Sequence, residues 1–181
     1  DRTDDFILVI VNFLGNSNCP YRFSFDEVLF KNINLLEIQK RYDKKVIFKT
    51  KSRANHSSLM ADHNYIHSIM PTELDFDIIT DFEDNNQLIC GASLIISSTS
   101  MLSFKPIQKG IPTVLTNNTG CVGSFRDYRS LVDVDENFVD KVDIEMNLYR
   151  DVDFIKNTID GGLEFDSTRS YLEKIKNLMN V

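Results

Sequence analysis

The sequence predicts a single α/β domain whose parallel β-sheet carries helices on both faces. Apolar runs without polar interruptions, such as DFILVIVNFLG (5–15), are typical of strands that are buried on both faces. These runs alternate along the chain with stretches whose apolar residues recur at helical spacing. With 181 residues, of which 42% are hydrophobic, the chain is long enough for one well-packed core and short for two.

About six strands are expected. The first is the run 5–15, which closes at Gly15. The later strands are expected in KKVIFKTK (44–51), FDIIT (76–80), SLIISS (93–98), IPTVLTN (111–117) and SLVDVD (130–135). The unbroken apolar core of the fourth run, Leu94-Ile95-Ile96, predicts that this strand lies in the centre of the sheet.

Helices are expected between these strands. The first should span 24–42, because apolar residues recur on one side of it and a capping-box pair stands at its start. The apolar residues are Phe25, Leu29, Ile33 and Leu36, and the pair is Ser24 with Glu27. The polar stretch 52–71 predicts a loop with one short helix. Other helices are expected over 83–92, 100–110 and, as two or three helices, in the remainder of the chain up to STRSYLEKIKNLM (167–179). Strands that alternate with helices in this way predict a Rossmann-like, doubly wound sheet.

Composition excludes several classes of function. The net charge of -7 argues against broad nucleic-acid binding, which needs a basic face. No apolar run approaches the ~20 residues of a membrane span, and the start lacks the layout of a signal peptide. Cys19, Cys90 and Cys121 are widely spaced without a CxxC pair, so a reducing cytoplasmic compartment is expected. Because the chain starts at Asp1, shortly before a strand, we expect a domain excised from a longer protein.

Ligands of open α/β sheets bind beyond the carboxyl ends of the strands, so the residues after each strand are the candidates for a site. The segments 15–18, 49–53, 97–100 and 117–128 occupy these places, and all four are polar. The residues that we expect to line a ligand pocket there are Gly15, Asn16, His56, Gly120, Phe125 and Arg126.

Four hydroxyl residues in a row follow the fourth strand: Ser97, Ser98, Thr99 and Ser100. They stand where a helix is expected to begin, and free backbone N–H groups with the helix dipole favour an anion at such a point. One hydroxyl residue suffices to cap a helix. The run therefore predicts a phosphate-binding turn, and the alternative is an ordinary serine-rich cap.

Three cations follow the second strand. Lys49, Lys51 and Arg53 alternate, so that in an extended chain they point to one side. In an acidic protein this placement indicates neutralisation of a bound anion, and a solvated strand end is the alternative. Together with the hydroxyl run, the basic segment predicts a ligand that carries phosphate.

Other chemistry finds little support in the sequence. His63 and His67 are four residues apart, as two metal ligands on one helix face would be. Without an HExxH motif we expect a surface pair and no metal site. The sequence contains no GxSxG, P-loop or GxGxxG motif, which leaves a hydrolase triad and an NAD site unsupported. No catalytic residue is assigned.

The order of these segments resembles the C-terminal, donor-binding half of GT-B glycosyltransferases. The resemblance is greatest to bacterial CDP-glycerol and CDP-ribitol polyol-phosphate transferases and to capsule Kdo and sialic acid transferases. Its motifs are FKTKSR (48–53), DFEDNNQLICGASLIISSTS (81–100), MLSFKPIQKGIPTVL (101–115), SFRDYRSLVDVDENFVDKV (124–142) and the tail 154–179. Two features depart from the family pattern. Lys105-Pro106 stands where a ribose-binding Glu-Ala is common, and the basic motif lacks its histidine unless His56 substitutes.

The resemblance implies an enzyme of bacterial surface polysaccharide or glycopolymer synthesis. Its donor would be a CMP-, CDP- or UDP-linked sugar or polyol, without a further cofactor, and its acceptor a glycan or glycopolymer. The acceptor domain, with the general base, would precede Asp1, and the parent protein would be cytoplasmic, with peripheral association at the inner membrane. The alternatives are a UDP-sugar 2-epimerase-like enzyme and a non-enzymatic α/β module of receiver type. The receiver type needs clustered aspartates after strand one, where this chain has Asn12 and Gly15.

Overall fold

A computed structural model describes residues 5–11, 33–50, 56–80, 85–97, 104–116, 131–132 and 136–147. The strands are β1 (Phe6–Ile10), β2 (Lys45–Lys49), β3 (Phe76–Ile79), β4 (Ala92–Ser97), β5 (Thr113–Thr116) and β6 (Leu131–Val132). The helices are α1 (Leu35–Tyr42), α2 (His56–Ile69), α3 (Asn85–Gly91), α4 (Phe104–Gln108) and α5 (Phe138–Asn147). Within these residues, none of the helices has the length and apolar character that crossing a membrane requires.

The six strands form one sheet in the order β3-β2-β1-β4-β5-β6, and every neighbouring pair is parallel. The predicted Rossmann-like parallel sheet is therefore confirmed. The chain builds outward from β1 to β3, crosses back to β4 on the other side of β1, and builds outward again to β6. The strand order thus reverses between β1 and β4, which is the topological switch point of the sheet.

Burial of the strands on both faces of the sheet explains why their sequences are continuous apolar runs. Successive residues of β1 point to opposite faces, with Ile7 and Val9 in one apolar cluster and Leu8 and Ile10 in the other. Helices α1, α2 and α5 cover the first cluster, and α3 covers the second. Because both faces are covered, the central strands are largely apolar on both sides. The predicted central place of β4 is confirmed, since β4 pairs with β1 and with β5.

Helix α1 begins later than the sequence predicted. The expected helix included Ile33, but Ile33 precedes the helix and Asn34 is its N-cap, with Asn34 Oδ1 accepting from the Glu37 amide at 3.1 Å. Asn34 and Glu37 have the same spacing as a capping box, and asparagine is a strong N-cap residue, which explains the start. The expected pair Ser24 and Glu27 lies outside the described residues, as does the part of the first predicted strand beyond Val11.

Helix α2 is longer than expected. The segment 52–71 was expected to be a loop with one short helix, whereas α2 spans 14 residues. Its sequence is largely polar, but Ile66, Ile69 and Met70 recur at helical spacing and pack against the core. Tertiary packing of this narrow apolar stripe stabilises a helix that the weak periodicity did not predict.

Candidate functional site

Buried polar residues gather at the edge of the sheet where the strands end, here called the carboxyl edge. They are Lys49, Thr50, Thr80, Ser97 and Thr116. The opposite edge has the buried Thr113 and, in addition, exposed ion pairs such as Lys45 with Asp77 at 3.0 Å. Buried polar groups in proteins nearly always have hydrogen-bond partners. The carboxyl edge is therefore a region where the sheet holds hydrogen-bonded polar side chains.

Ser97 lies at the switch point. It is fully buried at the end of β4, where its register partner on β1 is Ile10 and its partner on β5 is Leu115. The Thr116 hydroxyl donates to the Ser97 carbonyl at 3.4 Å and ties the ends of β4 and β5 together. The hydroxyl run therefore begins at the switch point. Its other members, Ser98, Thr99 and Ser100, lie outside the described residues.

Lys49 pairs with Ile10 from the other side of β1, so Lys49 and Ser97 flank the same residue. Lys49 as a whole is only 9% exposed. The ammonium donates to the Thr50 carbonyl at 2.9 Å and to the Thr80 carbonyl, which turns it toward the end of β3. These bonds offset part of the cost of burying the charge. Lys51 and Arg53, the other predicted cations, lie outside the described residues.

A chain of side-chain hydrogen bonds lies beside Lys49. The hydroxyls of Thr50 and Thr80 are 2.7 Å apart, and His63 Nε2 lies 3.0 Å from the Thr80 hydroxyl. His63 and His67 were expected to be two surface residues, but His63 is half-buried and only His67 is exposed. The ring of His67 packs on Phe76 with the ring centroids 5.0 Å apart. Within the described ranges, no three His, Cys, Asp or Glu side chains are grouped so as to hold a metal ion.

Sequence reasoning missed this hydrogen-bond chain because its members come from three elements. A weak signal does exist, since β2 and β3 are both followed by a threonine in IFKT and DIIT. In parallel neighbouring strands, residues that follow equivalent strand ends lie side by side. Nothing in the sequence indicates that α2 places His63 against this pair.

Of the predicted pocket residues, His56 lies within the described ranges, and so does Lys105, one of the two departures from the GT-B motifs. His56 is the first residue of α2, and Lys105, on α4, is exposed and donates to Asn86 Oδ1 at 2.9 Å. Lys105 therefore links α4 to α3 in this structure. The other predicted pocket residues lie outside the described residues: Gly15, Asn16, Gly120, Phe125 and Arg126.

A second charged cluster joins α1 to α5. Arg41 pairs with Glu37 at 2.7 Å, with Asp140 at 3.2 Å and with Asp143. The Tyr42 hydroxyl donates to the other oxygen of Asp143. Burial, together with this hydrogen bond and the negative charge of Asp143, raises the pKa of Tyr42. The cluster fixes α5 on α1 and lies away from the carboxyl edge.

No model of a known protein family matches the sequence, and no curated protein matches it. Among solved structures, the chain is similar to the UDP-GlcNAc 2-epimerase of Methanocaldococcus jannaschii in complex with UDP-GlcNAc and UDP. The identity is 18%, the TM-score is 0.53, and the match covers 80% of this chain and 39% of that chain.

Two further solved structures have lower scores. Another structure of the M. jannaschii UDP-GlcNAc 2-epimerase has 13% identity and a TM-score of 0.48, covering 82% of this chain and 39% of that one. Acinetobacter baumannii MurG has 13% identity and a TM-score of 0.38, covering 78% of this chain and 40% of that one. The chain thus spans about two-fifths of the length of these proteins. The likeness to the epimerase complex shows that the chain has a Rossmann-like α/β fold.

Proposed function

We propose that the chain binds the nucleotide of an activated sugar or polyol donor at the carboxyl edge of its sheet. The observation that carries the proposal is the position of Ser97. The hydroxyl run starts at the switch point between β1 and β4, and ligands of open α/β sheets bind outside the carboxyl ends of the strands at such a point. The small serine and threonine side chains of the run would let a phosphate approach backbone N–H groups closely, and their hydroxyls can donate hydrogen bonds to it.

In this proposal Ser98, Thr99 and Ser100 hold the donor phosphate, and the cations that follow β2 offset its charge. Lys49 acts through the electric field of its charge, because its bonds to two carbonyls hold the ammonium on the β3 side, away from Ser97. Two strand spacings separate Lys49 from Ser97, or roughly 10 Å. This is the backbone separation, and the ammonium, turned toward β3, lies further from Ser97. At an effective dielectric constant of about 20, a unit charge at about 10 Å or more attracts a phosphate charge by at most roughly 1–2 kcal/mol. Lys51, Arg53 and the pocket residues expected from the sequence complete the proposed site.

The parent enzyme in this proposal is a GT-B type transferase that moves a sugar or polyol phosphate onto a glycan or glycopolymer. The domain's part in catalysis is to stabilise the phosphate that leaves with the nucleotide, which oriented donors and cations do well. The acceptor and the general base belong to a second, N-terminal domain. The order of the sequence segments supports this assignment, and the Rossmann-like fold is compatible with it.

A UDP-sugar 2-epimerase is the second candidate, because the chain has a TM-score of 0.53 with a structure of a UDP-GlcNAc 2-epimerase. Both candidates bind a nucleotide-linked sugar, and they differ in whether an acceptor is needed. The full-length parent protein, incubated with UDP-GlcNAc alone, should leave the sugar unchanged if it is a transferase. Formation of the C2 epimer without any acceptor would establish the epimerase instead.

The proposed site is tested by the affinities of UDP, CDP and CMP for single alanine variants at residues 98, 99 and 100. At least one variant should lose on the order of 1–3 kcal/mol of affinity for the nucleotide that binds, as for a hydrogen bond to a charged group. Ser93→Ala is the matched control, since the Ser93 hydroxyl lies at the other end of β4 and donates to the Phe6 carbonyl at 3.1 Å. Equal losses in the control and in every test variant would remove the hydroxyl run from the site.

A further inference from the structure

Four residues at the ends of β2 and β3 form what is here called the strand-end cluster: Lys49, Thr50, His63 and Thr80. We propose that His63 and Thr80 are positioning residues that hold the Lys49 ammonium at the carboxyl edge. The inference rests on the proposed function in one respect, namely that the charge of Lys49 serves a bound phosphate. The cluster itself is defined by hydrogen bonds in the structure.

The position of the Lys49 ammonium depends on two strand ends at once. It donates to the carbonyl of Thr50 after β2 and to the carbonyl of Thr80 after β3. Both bonds can form only while the two strand ends keep their separation. Within the described residues, the last backbone bond between them runs from the Thr50 amide to the Ile79 carbonyl at 2.9 Å.

Strand β3 needs additional support at this end. It spans four residues and is an outermost strand of the sheet, with β2 as its only neighbouring strand among the described residues. Its apolar residues Phe76, Ile78 and Ile79 are half-buried rather than buried. The hydroxyl pair of Thr50 and Thr80 and the contact from His63 then hold Thr80 from two sides.

Thr80 is the central member of the chain. Its hydroxyl has one proton and accepts through its lone pairs, so it can donate to one neighbour while it accepts from the other. His63 comes from α2, which packs on the core through Ile66, so its ring gives Thr80 a support outside the sheet. Replacing the Thr80 hydroxyl with a methyl group removes both side-chain bonds and changes the shape of the residue little.

The test compares Thr80→Val with Thr80→Ser and with a matched control. Thr113→Val is the control because Thr113 is also buried, but it lies at the start of β5, where its hydroxyl donates to the Ile111 carbonyl at 2.9 Å. Hydrogen exchange of the Thr50 amide and of the Lys49 ammonium reports on the cluster without any ligand. We expect Thr80→Val to speed this exchange by roughly tenfold, the equivalent of one hydrogen bond. Thr80→Ser and Thr113→Val should stay close to wild type.

UDP affinity is the second measurement. Thr80→Val should weaken UDP binding several-fold, Thr80→Ser should restore it, and Thr113→Val should leave it unchanged. His63→Leu and His63→Gln form a second pair, in which glutamine keeps a hydrogen-bonding amide near the place of Nε2 and should rescue both readouts.

The outcomes separate the two proposals. Wild-type exchange at Lys49 and Thr50 in both Thr80→Val and His63→Leu would overturn the positioning role. Faster exchange with unchanged UDP affinity would also overturn it, since the ammonium would then not serve the ligand. A wild-type chain that binds no UDP, CDP or CMP would contradict the proposed function, whereas the exchange rates would still decide whether the cluster holds Lys49.

Discussion

At the scale of single residues, the hydroxyl of Tyr42 links helix α1 to Asp143 of α5, 101 residues further along the chain. Its pKa is raised above the ordinary value of 10.0, so the folded protein keeps the phenol proton at a pH where the unfolded chain loses it. The stabilisation is therefore complete below pH 10 and decreases as the pH rises through the folded-state pKa.

This linkage gives a prediction for alkaline solution. Above pH 10, the free energy of unfolding of the wild type should fall with pH more steeply than that of Tyr42→Phe, which lacks the titrating group. Urea unfolding at several alkaline pH values measures both slopes. Ultraviolet titration of the wild type should show a phenol ionisation above pH 10 that Tyr42→Phe lacks. Equal slopes for the two proteins would refute the linkage.

Lys49 and Lys45 give a matched pair for the two edges of the sheet, because both point to the same face of β2 from opposite ends. Lys49→Met leaves the Thr50 and Thr80 carbonyls without the ammonium and should lower the free energy of unfolding by about 1–3 kcal/mol. Lys45→Met removes exposed ion pairs with Asp75 and Asp77, which solvent screens, so its loss of stability should be clearly smaller. Urea unfolding of both variants measures the difference, and similar losses would contradict the buried role of Lys49.

At the scale of elements, the residue that ends α1 has a backbone conformation that a substitution should stabilise. Asp43 follows the helix with φ of 52° and ψ of 51°, in the left-handed region where a Cβ is unfavourable. Asp43→Gly should therefore raise the free energy of unfolding by about 0.5–1 kcal/mol. Lys40→Gly, at an exposed position inside the same helix, should lower it by about 1 kcal/mol. Thermal unfolding measures both, and a loss of stability in Asp43→Gly would show that the aspartate side chain contributes more than the strain.

The sequence predicted strands better than helices. Strands β1, β2 and β4 are buried on both faces, so their apolar runs stand out from the flanking polar residues. Among the described side chains of helix α2, the contacts with the core come from Tyr65, Ile66 and Ile69. The largely polar sequence therefore gave little sign of a helix of 14 residues. The start of α1 was mistaken because apolar spacing continued upstream of Asn34, while the cap decided where the helix begins.

At the scale of the whole molecule, the alternation of strands and helices predicted a parallel sheet, because parallel neighbours need crossover helices. Alternation alone does not give the strand order, since the chain can cross to either side of β1 after β3. The same limit applies to the site. The sequence placed polar segments after the strands, but the contacts of Lys49 with Thr80 and of Thr80 with His63 depend on which strands become neighbours.

The central claim is that the carboxyl edge, next to the switch point, binds a nucleotide. The most direct test is a titration of the chain with UDP, CDP and CMP, followed by the NMR shifts of backbone amides. With at least one nucleotide, we predict shifts at Val11, Thr50 and Ser97 and in the hydroxyl run, with Lys45 and Thr113 at the other edge unchanged. Shifts that concentrate at the edge with Lys45 and Thr113, or no shifts with any of the three nucleotides, would contradict the claim.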